Sequence, residues 1–336
     1  MTPPVLLFRL SSLGDVVLTS SLFDPLLEAG YRPVLITAEP YGNLFADDRR
    51  VEVWEVPKKG FFKNLPRLLE RVRRLSPAAV LDLHANLKGR VFRTLADAPL
   101  KVSYDKRSLF RRFCVLLNRA GLAGRLKGKA FWVPQAYAET LRILGLEVSR
   151  PRPKILTDAE RTEETLRRLG LSGRRFVALG VGARYRKKRY PHFRKLAELF
   201  LREGFEVVLV GDRTDRWETR GWEGVRNLCG ELSPVESLRV LGAAELFVGN
   251  DSGAAHMARA VGTPVAVVFG GTHPCLGFAP YPDEGKVVFK NLPCSPCDLH
   301  GRGFCKRNFE CLEIPPERVL EEALSLLERR SAEGGV

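Results

Sequence analysis

The sequence predicts an α/β protein built on two doubly wound, mostly parallel sheets. Three observations predict it. Short apolar runs alternate with helical stretches along nearly the whole chain, the pattern of parallel strands joined by crossover helices. The pattern starts afresh after Arg150-Pro151-Arg152-Pro153, a stiff proline-spaced linker. The 336 residues suffice for two domains of ordinary size, each with its own core.

The first half opens with the apolar strand Val5 to Leu10, which ends in Ser11-Ser12-Leu13-Gly14-Asp15. An apolar-periodic helix is expected from Val16 to about Glu28, stopped by Gly30. Val34 to Thr37 reads as a strand, Tyr41 to Ala46 as a short helix and Val51 to Val56 as a strand. A basic helix near Phe61 to Leu75 leads to the strand Ala78 to Leu83, and another helix begins after Asn86. The strand Lys101 to Ser103 and helices near Ser108 to Ala120 and Pro134 to Leu144 complete this half.

Beyond the linker, a helix at Asp158 to Leu169 precedes the strand Phe176 to Val181. A basic loop, the helix Phe193 to Glu203 and the strand Val207 to Val210 follow. Helix Pro234 to Gly242 and strand Glu245 to Val248 lead into Gly249 to Thr272, GNDSGAAHMARAVGTPVAVVFGGT. That stretch reads as strand, tight turn, small-residue helix and second strand, one parallel βαβ unit. A Cys-rich loop and a helix from about Pro316 to Arg329 finish the chain. The expected division is 1–152, 153–315 and a terminal helix and tail, 316–336.

In open α/β sheets ligands sit beyond the carboxyl ends of the strands. Two such sheets facing each other place a cleft between the Asp15 loop and the Asp251 turn. At that turn Asp251 and Ser252 are expected to cap the helix, and Gly253 lets a ligand approach the backbone. Free N–H groups and the positive dipole end there suit an anion, most often phosphate; an ordinary capped helix is the plainer alternative. His256, four residues after Ser252, is either a ligand-facing side chain or a packed core histidine. Asp15, near a helix N-terminus, is either a general base that takes a proton from a hydroxyl or a carboxylate that only complements the dipole.

The loop Gly180 to Phe193, GVGARYRKKRYPHF, combines Gly180 and Gly182 with Arg184, Arg186, Lys187, Lys188 and Arg189. A glycine-spaced basic loop beyond a strand suits a diphosphate, unless it is merely solvated. The GxxxxGK[ST] spacing of a Walker loop is absent. Asp212 and Asp215 follow another strand, where acids hold ribose hydroxyls or simply cap a helix. No DxD pair occurs, so no metal site is expected and cations with helix N-termini must neutralise a bound diphosphate. Cys294, Cys297, Cys305 and Cys311 lie within eighteen residues and fit a zinc knuckle, disulfides or free thiols.

The net charge of +15 is uneven: residues 1–150 carry 25 Lys and Arg against 14 Asp and Glu, and the remainder 29 against 25. Lys58 to Arg74 has seven basic residues and one acid, and Lys106 to Lys129 has eight and none. Both interleave cations with Phe, Leu and Val. That suits an anionic membrane surface or an anionic lipid-linked substrate, as well as nucleic acid or a plain solvated face. A nucleic-acid-binding protein would need an aromatic stacking platform or a recognition helix, and neither is found. No run of eighteen apolar residues occurs, and the start lacks a basic n-region, a long h-region and a cleavage site, so a cytoplasmic protein is expected. A single Gln and two Met amid abundant Arg, Glu and Leu hint at a thermophilic source.

Four stretches, taken together, resemble glycosyltransferase family 9, the ADP-heptose:lipopolysaccharide heptosyltransferases. They are RLSSLGDVVLTSSL at Arg9 to Leu22, KKRYP at Lys187 to Pro191, Gly249 to Thr272, and CSPC at Cys294 to Cys297. Tyr190 stands where the family usually has Trp, and Ala254-Ala255 where larger apolar residues are common. The resemblance implies a GT-B fold, two Rossmann-like domains with the acceptor on the N-terminal and the nucleotide sugar on the C-terminal one. It implies inversion at the anomeric carbon, no cofactor or bound metal, ADP-heptose as donor, and a lipid-linked acceptor at the cytoplasmic face of the inner membrane. By motif position Asp15 becomes the base and Lys188 a diphosphate contact. Gly182, Asp251, Ser252, Gly253 and His256 fall at the donor site, and Asp215 corresponds less directly to an acid that contacts the nucleoside. Ser12 and Gly14 fall on the acceptor side, and the residues themselves, apart from the resemblance, offer Lys88 and Arg90, beyond the fourth strand, as contacts for acceptor carboxylates or phosphates. A nucleotide-sugar epimerase or hydrolase on the same fold is the rival enzyme class.

Overall fold

The structure, a computed structural model, describes residues 2–119 and 131–333. The chain divides into two compact units, Met1–Lys106 with Val133–Asp158, and Arg107–Trp132 with Ala159–Val336. Residues 153–158 join the first unit because Lys154 N donates to Ser20 Oγ (3.0 Å) and Leu156 N to Asp48 Oδ2 (3.1 Å). Segment 107–132 groups with the second unit, although it lies before the linker. The part of the basic stretch Lys106–Lys129 that follows Arg119 lies outside the described residues.

The first unit runs β1 (Pro4–Phe8), α1 (Leu13–Leu18), α2 (Phe23–Glu28), β2 (Arg32–Ala38), β3 (Glu52–Val56), α3 (Phe61–Leu75), β4 (Ala79–Asp82), α4 (Leu87–Leu95) and β5 (Leu100–Ser103). Its five strands are parallel in the order β3-β2-β1-β4-β5. The inner strands β1, β2 and β4 are near-continuous apolar runs because helices cover both faces, whereas the edge strands β3 and β5 carry Glu52, Glu55 and Lys101. Phe8, Ile36 and Trp54 meet the buried face of α3 (Phe61, Leu65, Leu68, Val72) and Phe92 of α4. Each such fully buried side chain contributes about 1.5–3 kcal/mol. The single helix expected from Val16 to Glu28 is instead α1, a 3-10 turn at Thr19–Leu22, and α2. Thr19, Ser20 and Ser21 each turn a hydroxyl back onto the carbonyl three residues earlier, which competes with the α ladder.

In the second unit come α5 (Ser108–Arg119), and in the first again α6 (Val133–Ala138) with a 3-10 turn at Glu139–Leu144, so the helix expected from Pro134 to Leu144 is half 3-10. The second unit then continues α7 (Ala159–Arg168), β6 (Phe176–Gly180), α8 (Phe193–Arg202), β7 (Glu206–Val210), α9 (Arg213–Glu218), β8 (Val225–Asn227), α10 (Pro234–Ala243), β9 (Leu246–Asn250), α11 (Gly253–Ala260), β10 (Val265–Phe269), β11 (Gly285–Phe289) and α12 (Pro316–Glu333). Its six parallel strands lie in the order β11-β10-β9-β6-β7-β8. The terminal helix α12 is part of this unit's core through Val319, Ala323 and Leu326. Among the described residues, no helix is long and apolar enough to cross a membrane.

In each sheet the strand order reverses at its first strand. The chain builds outward through β1, β2 and β3, then resumes on the other side of β1 at β4. It does the same from β6 to β9. The crevice at the carboxyl ends of such a reversal is where ligands bind in open α/β sheets.

Candidate active site

In the first unit the reversal lies between β1 and β4, and Arg9 bridges their ends. Its Nη1 donates to Leu83 O (2.5 Å), and its Nη2 lies 2.7 Å from Asp15 Oδ2. The same Oδ2 accepts from Ser12 N (3.2 Å) and Ser12 Oγ (2.7 Å), and among the described residues none of these donors reaches Oδ1. Gly14 is buried in the turn beneath. Burial alone pushes the Asp15 carboxyl up, but the Arg9 charge and the Ser12 hydrogen bonds outweigh it and hold the group below the usual carboxylate range. Asp15 is therefore an ionised carboxylate with one oxygen saturated and the other available.

At the end of β4, Asp82 is buried and accepts from His84 N (3.0 Å), Ala85 N (2.8 Å) and Ser103 Oγ (3.2 Å). These bonds fix the loop into α4, whose first turn Asn86 caps by accepting from Gly89 N. Gly89 is required there, because a Cβ would lie 2.7 Å from Asp82 Cγ. Beside Asp82 is a cavity of about 320 Å³ whose lining includes Arg90, Arg93 and Ser103. Of the two cations expected for the acceptor, Arg90 lines it, whereas Lys88 lies over the Phe61 ring at 5.6 Å. His84 is neutral, with its pKa pushed down to about 3 by burial and by the charges of Arg9, Lys106 and Lys88.

In the second unit the reversal lies between β6 and β9. Asn250, fully buried at the end of β9, ties down the basic loop that follows β6. Its Nδ2 donates to Val181 O (2.9 Å) and Gly182 O (3.3 Å), and its Oδ1 accepts from Tyr190 N (2.9 Å). The loop's tip rests on Gly270 and Gly271 at the end of β10, where Gly271 N donates to Lys187 O at 2.7 Å. A Cβ at Gly270 would stand 2.5 Å from Lys187 O, so the backbone approach needs glycine. This seating sets Lys188 Nζ 2.7 Å from Asp251 Oδ2, which also accepts from Thr272 Oγ1 at 2.8 Å. Burial works to raise the Asp251 carboxyl, and the Lys188 charge, its hydrogen bond, His256 and Thr272 together lower it.

The expected side-chain cap of the next helix is not made. Ser252 occupies the N-cap position of α11 with extended backbone but no side-chain capping bond, and Asp251 is committed to Lys188 and Thr272. The first amides of α11, beginning at Gly253, are thus left without the side-chain oxygen that usually satisfies such groups. His256, on the same helix, is 5% exposed, with Nδ1 3.3 Å from Arg259 Nη1, and Arg259 pairs with Glu284 at 2.6 Å. Asp215 is buried and reciprocally caps α9 with Asp212, accepting from Asp212 N at 2.8 Å. Burial and the Asp212 charge push its carboxyl up. Its side chain fills the space over Gly182, where a Cβ would lie 2.7 Å from Asp215 Cγ.

Cys294, Cys297, Cys305 and Cys311 are unbridged thiols. Burial pushes the Cys311 thiol up to about 12, and the other three thiols add to the shift. Among the described residues no group of three or more His, Cys, Asp or Glu is arranged to hold a metal ion. The loop abuts the basic loop instead. Cys297 N donates to Gly271 O (2.9 Å), and Arg302 Nε donates to Tyr185 Oη (3.0 Å).

Sequence reasoning gave no role to Arg9, His84, Arg93, Asn250 or Thr272. Arg9, Asn250 and Thr272 stand inside or at the edge of the motif stretches, and that position was the only signal for them.

Two parallel α/β sheets, each with a charged constellation at its point of reversal, define a doubly wound α/β protein with a candidate ligand crevice in each unit. The family model described as glycosyltransferase family 9 (heptosyltransferase) matches residues 66–303, and the chain belongs to that family. Lipopolysaccharide heptosyltransferase 2 of Salmonella typhimurium is 30% identical over 153 residues, 42% of this chain and 43% of that protein, so this match spans less than half of the relative's length. Lipopolysaccharide heptosyltransferase 1 of Pseudomonas aeruginosa is 25% identical over 319 residues, 87% of this chain and 85% of that protein. The solved structure of ADP-heptose lipopolysaccharide heptosyltransferase II of E. coli superposes with a TM-score of 0.73 at 20% identity, covering 98% of this chain and 99% of that one. The two α/β sheets accordingly have the GT-B-type fold of that structure.

Proposed function

We propose that this protein transfers heptose from ADP-heptose to the inner core of lipopolysaccharide, on Kdo-lipid A or a core heptose, with inversion at the anomeric carbon and without a bound metal. Membership of the family and the names of the relatives support the reaction class. The observation that carries the mechanism is Asp15, ionised and with only Oδ2 engaged. Oδ1 accepts the proton of an acceptor hydroxyl, whose oxygen attacks the anomeric carbon. The bond from that carbon to the β-phosphate oxygen breaks, and ADP leaves with the electron pair. Residues 1–152 serve the acceptor: Ser12 and Gly14 shape the turn around the base, and Arg90, with Lys88, meets acceptor carboxylates or phosphates.

Residues 153–315 serve the donor. Lys188 and the uncapped amides after Ser252 and Gly253 receive the diphosphate. Stabilising charge on a departing group is usually the largest catalytic term. Asp251 holds Lys188, His256 supports the helix behind it, and Gly182 and Asp215 form the wall toward the nucleoside. The protein works peripherally at the cytoplasmic face of the inner membrane.

The test is transfer of ADP-heptose onto a panel of truncated lipopolysaccharide cores, with one arm lacking acceptor. Product on one core and none without acceptor supports the proposal. Free or altered sugar without acceptor favours the epimerase or hydrolase class. Unchanged transfer in excess chelator supports the metal-free mechanism, and abolished transfer opposes it.

A further inference from the structure

We infer that the outward face of α5, with the neighbouring loop at Leu299, is a docking surface for an anionic phospholipid bilayer. This rests on the proposal that the acceptor is lipid-linked, and it identifies the element that brings the protein to the lipid.

The helix is amphipathic in an unusual sense. Its inward side holds Cys114, fully buried, and Arg111, whose guanidinium lies over the rings of Phe131 (4.9 Å) and Phe278 (5.3 Å). Its outward side is apolar: Leu109 is 83% exposed, Phe113 50% and Leu116 61%. These positions follow the i, i+4, i+7 spacing of one helical stripe. Helices of globular proteins normally turn such a stripe to the core, so three large exposed apolar residues in register mark a surface that meets something else.

The stripe is also concave. Leu109, Phe110, Phe113 and Leu116 join Leu299 around a groove of about 700 Å³, and Phe304, further along the same loop, is 87% exposed. The charge around it decides the occupant. Arg112 lines the groove and Arg107 precedes it, and the sequence has no acid between Lys106 and Lys129. Among the described residues that line the groove the one acid, Asp298, is engaged by its own loop, accepting from His300 N (2.8 Å) and Arg302 N (3.0 Å). An apolar stripe edged by cations fits the boundary between acyl chains and phosphate headgroups, where apolar side chains reach about 5–10 Å below the surface and nearby cations are drawn to anionic headgroups.

The comparison with α3 shows why composition alone did not single out α5. Both segments are basic and interleaved with Leu, Phe and Val. In α3 the apolar residues Phe61, Leu65, Leu68 and Val72 are buried, so its cations form a solvated face. Outside that buried face α3 exposes one large apolar residue, Phe62 (50%), whereas α5 exposes three in a single stripe bordered by cations.

Co-sedimentation with vesicles tests the inference, using phosphatidylcholine alone or mixed with phosphatidylglycerol. The wild type is compared with Leu109→Ser/Phe113→Ser/Leu116→Ser, and both are assayed for transfer onto a water-soluble deacylated core. The wild type should partition onto the anionic vesicles and hardly onto the neutral ones. The triple variant should lose about tenfold or more of that partitioning, with transfer onto the soluble core unchanged. Undiminished partitioning of the variant, or no partitioning of the wild type, overturns the inference. Loss of self-association in the variant with vesicle binding intact assigns the stripe to a second copy of the chain and also overturns it. Absence of transfer by the wild type counts against the proposed reaction and leaves the vesicle result readable by itself.

Discussion

Arg9 and Asp15 are paired through a single carboxylate oxygen: Nη2 lies 2.7 Å from Oδ2, the oxygen that Ser12 also engages twice. The arginine thus orients the carboxylate and keeps it charged, while among the described residues none of these donors engages Oδ1. Arg9 is itself held between strands by Leu83 O, so the carboxylate is referenced to the sheet and not to a loop.

This pairing sets a pH dependence. In the proposed role Asp15 acts only when ionised, so activity is expected to fall as pH drops through the Asp15 pKa. Arg9 holds that pKa below the usual carboxylate range; without it, burial acts against Ser12 alone and the pKa rises. In Arg9→Gln the acid limb of kcat/KM should therefore move up by about 1–3 pH units. An unshifted limb would assign it to another group.

The Lys188–Asp251 pair separates support from binding. Lys188→Ala leaves Asp251, 6% exposed, without its cation, and breaking such a pair costs about 3–5 kcal/mol. Adding Asp251→Asn should restore most of the thermal stability. Donor affinity, followed by calorimetric titration of ADP-heptose, should stay weak in both variants. Recovery of affinity in the double variant would make Lys188 a structural residue only.

Gly270 tests how the basic loop after β6 is seated. In Gly270→Ala the new methyl meets Lys187 O and the Leu312 side chain, so the loop or the Cys-rich segment must shift, at a cost of about 1–3 kcal/mol. The expected result is weaker ADP-heptose binding with acceptor KM unchanged. Equal changes in both would place the damage in the whole fold.

Much of this was legible in the sequence, and the exceptions have physical reasons. The buried strands announce themselves as apolar runs, Val5 to Phe8 or Val265 to Phe269, because both faces of a parallel sheet are covered. The edge strands β8 and β11 were not foreseen, since Val225-Arg226-Asn227 is too short and Gly285 to Phe289 too mixed to stand out. The helix expected after Asp15 breaks because hydroxyls at Thr19 to Ser21 compete locally, a matter of side-chain rotamer that periodicity does not register. Asp251 reads as a helix cap because its real partner, Lys188, is sixty-three residues away and comes within reach only once β6 and β9 pair. Asp15 was legible as a candidate base. Its electrostatic partner was not, since a lone arginine at a strand end carries no signal of where its side chain turns.

The most direct test of the central claim is the Asp15→Asn variant, assayed for heptose transfer and for ADP-heptose affinity in the same preparation. Asparagine keeps the size of the side chain and accepts no proton from a hydroxyl. The prediction is a loss of about 10²–10⁴-fold in turnover with donor affinity unchanged. Turnover near that of the wild type would contradict the assignment of Asp15 as the base.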